Sequence, residues 1–146
     1  HDERGYPVIN AEAQEKLVRR LVAKIRENAK DIISLDRYYL EDADVVAVAY
    51  GISSRSALRA VRMAREEGVK AGLLKMNTVW PFPEEEILLL ADRVKGFVVP
   101  EINAGQIIYE VERCSRDKNK IVGVNRMGGD IIPPDEILEA IWQAVK

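Results

Sequence analysis

The sequence predicts a three-layer α/β domain with a mostly parallel sheet of about five strands. Short apolar runs alternate about four times with segments of helical period, as in a sheet built from strand–helix–strand units. The run Val45–Tyr50 contains no charged residue, which is typical of a strand covered by helices on both faces. With 146 residues, the chain is long enough for one domain that folds without disulfides or metal ions.

Residues 1–42 are predicted to form an N-terminal linker and an amphipathic helix, ahead of an α/β domain of residues 43–146. Leu17, Leu21 and Ile25 recur at helical spacing and form an apolar stripe flanked by basic side chains. We expect this stripe to pack on a domain, either its own or one missing from this chain, and we predict its own; the alternative is a helix that binds calmodulin or a membrane surface. The segment Tyr38–Leu40 is predicted to be an anchor or a short edge strand, and the sheet can carry one antiparallel strand at its edge.

The rest of the chain is predicted to alternate strands and helices. The predicted strands are Val45–Tyr50, Ala71–Met76, Gly96–Glu101 and Lys120–Val124. The predicted helices begin near Ser54, Pro83, Ile107 and Pro133. The first of them is expected to end at Gly68, because glycine suits a left-handed helix cap. The second opens with three glutamates, which favour the positive end of a helix dipole.

The turn after the first strand is a candidate anion site. Gly51 can take a positive φ, and Ser53 or Ser54 can cap the helix that follows. The free N–H groups of that helix would then point over the end of the strand, where they could bind an anion. The alternative is that the turn and cap are purely structural.

Loops that follow parallel strands meet at one edge of the sheet, and this carboxyl edge is where we expect ligands or partners. Four loops are predicted to collect there: Gly51–Ser54, Thr78–Pro81, Glu101–Gln106 and Asn125–Gly129. The candidate residues for a docking or anion-binding edge are Gly51, Ser53, Ser54, Arg55, Glu101, Asn103, Gln106 and Arg126.

Two of these residues have alternative roles. Glu101 follows an apolar strand, so it is either a buried functional carboxylate or an acceptor for the N–H groups around Ala104–Ile107. Arg126 either binds a carboxylate or phosphate of a partner or pairs with Glu101 or Asp130. The segment Trp80–Pro83 is expected to be a rigid, packed connection rather than a recognition platform.

Several classes of function are disfavoured by what the sequence lacks. His1 is the single histidine and stands at the terminus, so no Ser–His or Cys–His nucleophile pair is expected. Cys114 is the single cysteine and is predicted to lie in the core, so neither a disulfide framework nor a cysteine metal site is expected, and a reducing cytoplasm is predicted. The formal charge is −2 and the apolar runs are short, so we expect no nucleic-acid or membrane partner. No catalytic residue and no metal ligand is predicted.

Several strings resemble one known family, the carboxyl-terminal part of the α subunit of 2-oxoacid:ferredoxin oxidoreductases. They are Asp42–Gly51, Ser54–Ala57, Thr78–Glu84 with its T-x-W-P-F-P pattern, Val99–Gln106, and Gly128-Gly129 before Pro134–Leu138. The resemblance covers nearly the whole chain and is nearest to the 2-oxoglutarate type. Two strings depart from it, because the family often has E-M-N-L-G-Q at Glu101–Gln106 and G-S-x-A-R at Gly51–Arg55.

The resemblance implies a domain like the carboxyl-terminal domain of transketolase. It implies a parent enzyme that oxidatively decarboxylates a 2-oxoacid with coenzyme A, using thiamine diphosphate, magnesium and iron–sulfur clusters. The implied partners are the N-terminal domain of the α subunit and the β subunit, with ferredoxin reached through the complex. We therefore expect a docking and scaffold domain that binds no cofactor alone. The alternative is a site for a coenzyme A phosphate or a regulatory anion, with Ser53, Ser54, Arg55 and Arg126 as ligands.

Overall fold

A computed structural model describes residues 1–2 and 4–146 of the chain. The helices are α1 (Ala11–Arg26), α2 (Ala29–Ile32), α3 (Ser53–Glu66), α4 (Glu84–Ala91), α5 (Ile107–Cys114) and α6 (Pro134–Val145). The strands are β1 (Leu35–Tyr38), β2 (Val45–Tyr50), β3 (Ala71–Met76), β4 (Gly96–Glu101) and β5 (Lys120–Asn125).

The five strands form one sheet in the order β1-β3-β2-β4-β5. Strands β2, β3, β4 and β5 are parallel, while β1 is antiparallel to β3 at one edge. The opposite edge of the sheet is β5. The prediction of a mostly parallel sheet of about five strands is confirmed.

The residues of β2 alternate between two apolar clusters, one on each face of the sheet. Val45 and Ala47 contribute to a cluster that also contains side chains of α3 and α6. Val46 and Val48 contribute to a cluster on the other face, with side chains of α4 and α5. Because a strand points successive side chains to opposite faces, a run without charges is what a central strand of this domain requires. The three-layer prediction is confirmed.

Close packing at the amino end of β4 requires a glycine. A Cβ atom added at Gly96 would lie 2.4 Å from the carbonyl oxygen of Lys120 and 2.7 Å from that of Ala144. Gly96 thus lets β5 and the last turn of α6 approach the strand.

Cys114 is buried on the α5 side of the sheet, as the sequence predicted.

The edge strand lies on the N-terminal side of the predicted domain division. β1 ends where Tyr39 takes a φ of 57°, and Leu40 then inserts into the core. Of the predicted segment Tyr38–Leu40, Leu40 is an anchor and only Tyr38 belongs to the edge strand, which begins earlier, at Leu35. The division at residue 43 stays a prediction, and β1 joins the sheet from before it.

The prediction that α1 packs against its own domain is wrong. α1 has no buried residue, and Leu21 in the middle of its apolar stripe is 51% exposed. Both faces of the sheet are already covered, by α3 and α6 on one side and α4 and α5 on the other. Consequently no sheet surface remains for α1, which lies beside α2. Among the described residues, no helix combines the length and apolar character that crossing a membrane requires.

Candidate functional site at the carboxyl edge

Glu101, the last residue of β4, holds the start of α5. Its side chain is fully buried and accepts hydrogen bonds from three backbone N–H groups: Gln106 at 2.8 Å, Ile107 at 2.9 Å and Ile108 at 3.3 Å. These are N–H groups at the helix start, which have no partner within the helix. A carboxylate there also interacts favourably with the helix dipole. The interpretation of Glu101 as an acceptor for this loop and helix is confirmed.

Two more polar side chains complete this cluster. The Tyr50 hydroxyl donates to Glu101 Oε1 over 3.2 Å, and Asn103 Nδ2 donates to the Tyr50 oxygen over 3.0 Å. Asn103 Oδ1 accepts the N–H of Gly105 over 2.7 Å, which fixes the loop between β4 and α5. Burial raises the pKa of the Tyr50 phenol, and the adjacent Glu101 carboxylate raises it further. Tyr50 is thus a protonated hydrogen-bond donor to the carboxylate near neutral pH.

The sequence-based interpretation missed Tyr50. A signal was available, because Tyr50 ends β2 and Glu101 ends β4, and these parallel strands are neighbours in the sheet. Gln106, by contrast, was predicted and does join the cluster, but through its backbone N–H while its side chain is exposed.

The turn between β2 and α3 differs from the prediction in one respect. Gly51 has a φ of 54°, as expected. Ile52 occupies the N-cap, however, and α3 has no side-chain cap, so the predicted serine cap is wrong. Ser53 and Ser54 lie inside the first turn and are buried, and the Ser54 hydroxyl donates to the Gly51 carbonyl over 2.6 Å. That hydrogen bond stabilises the turn, and it uses the hydroxyl proton of Ser54, which is then not available to donate to a ligand.

The two arginines of the predicted edge are not brought together. The Arg126 guanidinium pairs with Glu136 of α6, so the predicted pairing with Glu101 or Asp130 is wrong. Its backbone N–H donates to the Glu101 carbonyl over 3.1 Å, and this keeps the β5–α6 loop beside β4. The Glu136 carboxylate raises the pKa of Arg126. Arg55 is exposed on α3 and makes no ion pair within residues 1–2 and 4–146.

Large apolar side chains are exposed on three loops of the same edge. Trp80 after β3 is 72% exposed and Met127 after β5 is 71% exposed, while Ile52 and Ile131 are also exposed. The expectation of a packed Trp80–Pro83 segment holds for Phe82, which enters the core, and is wrong for Trp80. Several large apolar side chains exposed at one edge of a sheet are a feature of interaction surfaces.

The described residues contain no group of three or more histidine, cysteine, aspartate or glutamate side chains that could hold a metal ion. The side chains of Tyr50, Glu101 and Asn103 are instead bonded to one another. The Tyr50–Glu101–Asn103 cluster positions the β4–α5 loop and presents no free nucleophile.

Comparison with known proteins identifies the family of the chain. Residues 43–137 match the model of pyruvate:ferredoxin oxidoreductase core domain II. The chain belongs to this family. The predicted resemblance to the α subunit of 2-oxoacid:ferredoxin oxidoreductases is thereby confirmed.

Relatives of this core domain II are substantially longer chains. The 2-oxoglutarate synthase subunit KorA of Methanothermobacter marburgensis is 46% identical over 142 residues, which are 97% of this chain and 38% of that relative. Thus the chain spans about two fifths of the relative's length.

Two solved structures share the fold of core domain II. The 2-oxoglutarate:ferredoxin oxidoreductase from Magnetococcus marinus superimposes with a TM-score of 0.81 at 21% identity, over 100% of this chain and 26% of that one. A split-gene transketolase superimposes with a TM-score of 0.61 at 25% identity, over 72% of this chain and 39% of that one. The predicted transketolase-like architecture is confirmed.

Proposed function

We propose that this core domain II is a non-catalytic docking and scaffold domain in the α subunit of a 2-oxoacid:ferredoxin oxidoreductase. The proposed reaction is the coenzyme A-dependent oxidative decarboxylation of a 2-oxoacid, with ferredoxin as the electron acceptor. 2-Oxoglutarate is the proposed substrate, because the Methanothermobacter relative is a 2-oxoglutarate synthase subunit.

The observation that carries the proposal is the composition of the carboxyl edge. Its buried carboxylate, Glu101, is committed to three backbone N–H groups and to Tyr50. Around this inert cluster, Trp80 and Met127 are exposed on separate loops. An edge whose buried polar cluster is internally hydrogen-bonded and whose large apolar side chains are exposed is better suited to contact with a protein than to catalysis.

The cofactors of the reaction are assigned to the rest of the enzyme. In this proposal, thiamine diphosphate and magnesium lie between the N-terminal domain of the α subunit and the β subunit. The iron–sulfur clusters and the coenzyme A site lie outside this chain, and ferredoxin is reached through the assembled complex. The proposed location is the cytoplasm.

Assembly measurements test the docking role. The chain would be co-expressed with the thiamine-binding part of the α subunit and with the β subunit, and co-purification would be measured. Trp80→Ser and Met127→Ser should each weaken assembly about tenfold or more, as expected for exposed apolar side chains buried in an interface. Leu89→Ser is the matched control, because Leu89 is 65% exposed on the later half of α4, away from the carboxyl edge. Equal assembly of all three variants would refute the proposal.

Turnover measurements test the non-catalytic part of the proposal. The isolated chain, mixed with thiamine diphosphate, magnesium, coenzyme A and 2-oxoglutarate, should release no carbon dioxide above the protein-free rate. Decarboxylation that depends on the chain would contradict a purely docking role.

A second candidate function is a site for a coenzyme A phosphate or a regulatory anion at the start of α3. The supporting observation is that α3 lacks a side-chain cap while Arg55 in its first turn is exposed. Two proposed ligands are otherwise engaged, since Arg126 is paired with Glu136 and the Ser54 hydroxyl donates to Gly51. Calorimetry with coenzyme A decides this case: binding that Arg55→Ala abolishes would support the site, and no heat at millimolar ligand would reject it.

A further inference from the structure

An open cavity of about 550 Å³ lies at the amino edge of the sheet, opposite the carboxyl edge. It is formed by the first residue of β5, the loops that lead into β4 and β5, and the end of α6. Two of its lining residues, Val94 and Ala144, are apolar, and none of the described residues that line it has an acidic side chain. The remaining lining residues are all basic: Arg93, Lys95, Lys118, Lys120 and Lys146.

Two of these cations have carbonyl partners within the domain. Lys118 Nζ donates to the carbonyl oxygen of Asp92 over 2.8 Å, and Arg93 Nη2 donates to that of Leu40 over 3.5 Å. Basic side chains commonly bond the free carbonyl groups at the end of a helix, and Asp92 directly follows α4. The fold therefore gives Lys118 a structural role, and Arg93 a weaker one.

Lys95 and Lys120 have no such partner. Both are exposed, and neither side chain makes a hydrogen bond or an ion pair within residues 1–2 and 4–146. They are close together, because the Lys120 N–H donates to the Lys95 carbonyl over 2.9 Å. Of the acidic residues nearby, Asp92 is paired with Arg116, and Asp44 bonds Lys95 through its main-chain carbonyl. Like charges on neighbouring strands repel each other, so this pair of lysines favours an anion between them.

We propose that this cavity binds a small anion that contains a diphosphate group. Arg93, Lys95, Lys118 and Lys120 each supply one positive charge, whereas the side-chain charge of Lys146 is offset by the terminal carboxylate of the same residue. A diphosphate group carries about three negative charges at neutral pH. Its oxygens accept charge-assisted hydrogen bonds from lysine and arginine.

The shape and charge of the chain select this class of ligand. A concave site lined by charges of one sign concentrates small ions of the opposite sign, which favours a compact anion over the surface of an acidic protein. The net charge of −2 for the whole chain disfavours a nucleic acid. Because the cavity lies at the opposite edge of the sheet from Trp80 and Met127, the proposal is independent of the docking role.

The exposure of the lysines sets the expected strength of binding. Each contact between an exposed ammonium group and a phosphate oxygen is weakened by water and screened by salt. The dissociation constant for pyrophosphate is therefore expected to lie between about 10 µM and 1 mM at low salt. It should rise as the salt concentration is raised.

Calorimetric titration of the 146-residue chain with pyrophosphate tests the site. The parent chain should bind pyrophosphate, and the double variant Lys95→Gln/Lys120→Gln should raise the dissociation constant at least about tenfold. Lys24→Gln/Lys70→Gln is the matched control, because it removes the same net charge from two exposed lysines outside the cavity. Its dissociation constant should change less than about twofold, since distant charges are screened. No binding at about 5 mM pyrophosphate, or an equal loss in both double variants, would overturn the proposal.

Amide NMR spectra with pyrophosphate test the location of the anion. The signals of Lys95 and Lys120 should shift on titration, whereas that of Arg55 at the start of α3 should not. In calorimetry, Arg55→Ala should bind pyrophosphate as tightly as the parent chain. Shifts confined to the start of α3, or loss of binding in Arg55→Ala, would place the anion at the carboxyl edge and contradict the proposal.

Titrations with ADP and coenzyme A distinguish two sources of the diphosphate group. The ligand that binds the parent chain more tightly identifies the source that the cavity prefers, and its affinity should fall at least about tenfold in Lys95→Gln/Lys120→Gln. An unchanged affinity of that ligand in the double variant would contradict the proposal.

Discussion

At the carboxyl edge of this domain, a residue in a position typical of a catalytic group has a structural role. A glutamate at the end of a buried strand is a common position for a catalytic group. Here the Glu101 carboxylate is bonded to Gln106, Ile107 and Tyr50, so both oxygens are in use. Charge-assisted hydrogen bonds of this kind are among the stronger ones in proteins. We infer that Glu101 shapes the carboxyl edge by fixing the start of α5.

Replacing the Glu101 carboxylate should destabilise the domain. Glu101→Gln removes the charge and turns an amide donor towards N–H groups, so the free energy of unfolding should fall by about 2–3 kcal/mol. Urea denaturation measures this change. Glu112→Gln on α5 is the control, because Glu112 is exposed, and its effect should be within about 0.5 kcal/mol of zero. Equal effects of the two variants would contradict this role for Glu101.

Gly96 should tolerate no side chain. The Cβ of Gly96→Ala would meet the carbonyl oxygens of Lys120 and Ala144, so the variant should lose about 2–3 kcal/mol of stability through overpacking. Gly128→Ala is the control, because no atom lies within 4 Å of an added Cβ there. Thermal unfolding of the two variants gives the comparison, and a Gly96→Ala variant as stable as the parent would be inconsistent with this packing.

At the residue scale, the sequence predicted features that depend on local backbone geometry. It did not predict which of several possible partners a side chain contacts. The positive φ of Gly51 followed from its place in a strand–turn–helix unit, and the bonding of Glu101 to the next helix was one of the two roles that its place left open. The partner of Arg126 did not, because Glu136 comes within reach only when α6 packs beside β5. Likewise, nothing in the local sequence told the exposed Trp80 from the buried Phe82.

At the scale of elements, the edge strand β1 is fastened to helix α4. The Arg37 guanidinium makes two hydrogen bonds of 2.8 Å to the two carboxylate oxygens of Glu86. The hydrogen bond from Arg37 lowers the pKa of Glu86, and burial opposes this change only in part. A bidentate pair of this kind joins the only antiparallel strand of the described sheet to the layer beneath it.

The Arg37–Glu86 pair should make stability depend on acid pH. Because the pKa of Glu86 in the folded state is below its ordinary value of 4.5, the pair contributes fully above that value. Its contribution is lost as the pH falls through the lowered folded-state pKa. Relative to the parent, Glu86→Gln should lose about 0.5–1 kcal/mol at pH 7 and almost nothing at strongly acid pH, since Arg37 is half exposed.

Unfolding in urea across that pH range measures the difference. The control is Glu85→Gln, because Glu85 is exposed and makes no ion pair in the described part of the chain. A Glu86→Gln effect that does not change with pH would refute the assignment.

The elements themselves were largely predictable. β2, β3 and β4 have the predicted bounds and β5 extends by one residue, because uninterrupted apolar runs define buried parallel strands. β1 was located only roughly, since Asp36 and Arg37 give it no apolar pattern. For α1, the periodicity correctly gave a helix, but amphipathicity does not show what covers the apolar face.

At the scale of the whole molecule, stability should reside in the sheet and its two helix layers. α1 contributes no buried residue, whereas Leu40 belongs to the core and β1 is a strand of the sheet. The free energy of unfolding of a chain that starts at Asn28 should therefore lie within about 0.5 kcal/mol of the value for the full chain, when both are dilute monomers. A chain that starts at Glu41 loses β1 and Leu40, and should lose more than about 3 kcal/mol or fail to fold. Urea midpoints of both truncations provide the test, and a large loss in the first would show that α1 supports the core.

Because β5 is an edge strand, its amide protons should differ in their rates of hydrogen exchange. The Lys120 N–H donates to Lys95 and the Arg126 N–H to Glu101, so even-numbered amides point towards β4. The amides of Ile121, Gly123 and Asn125 point away from the sheet, because alternate residues of a parallel strand face opposite neighbours. In deuterium oxide, the monomer should exchange these three protons quickly and those of Val122 and Val124 slowly. A binding partner that adds a strand at this edge would also slow the exchange of the amide protons of Ile121, Gly123 and Asn125, so that all five would exchange slowly.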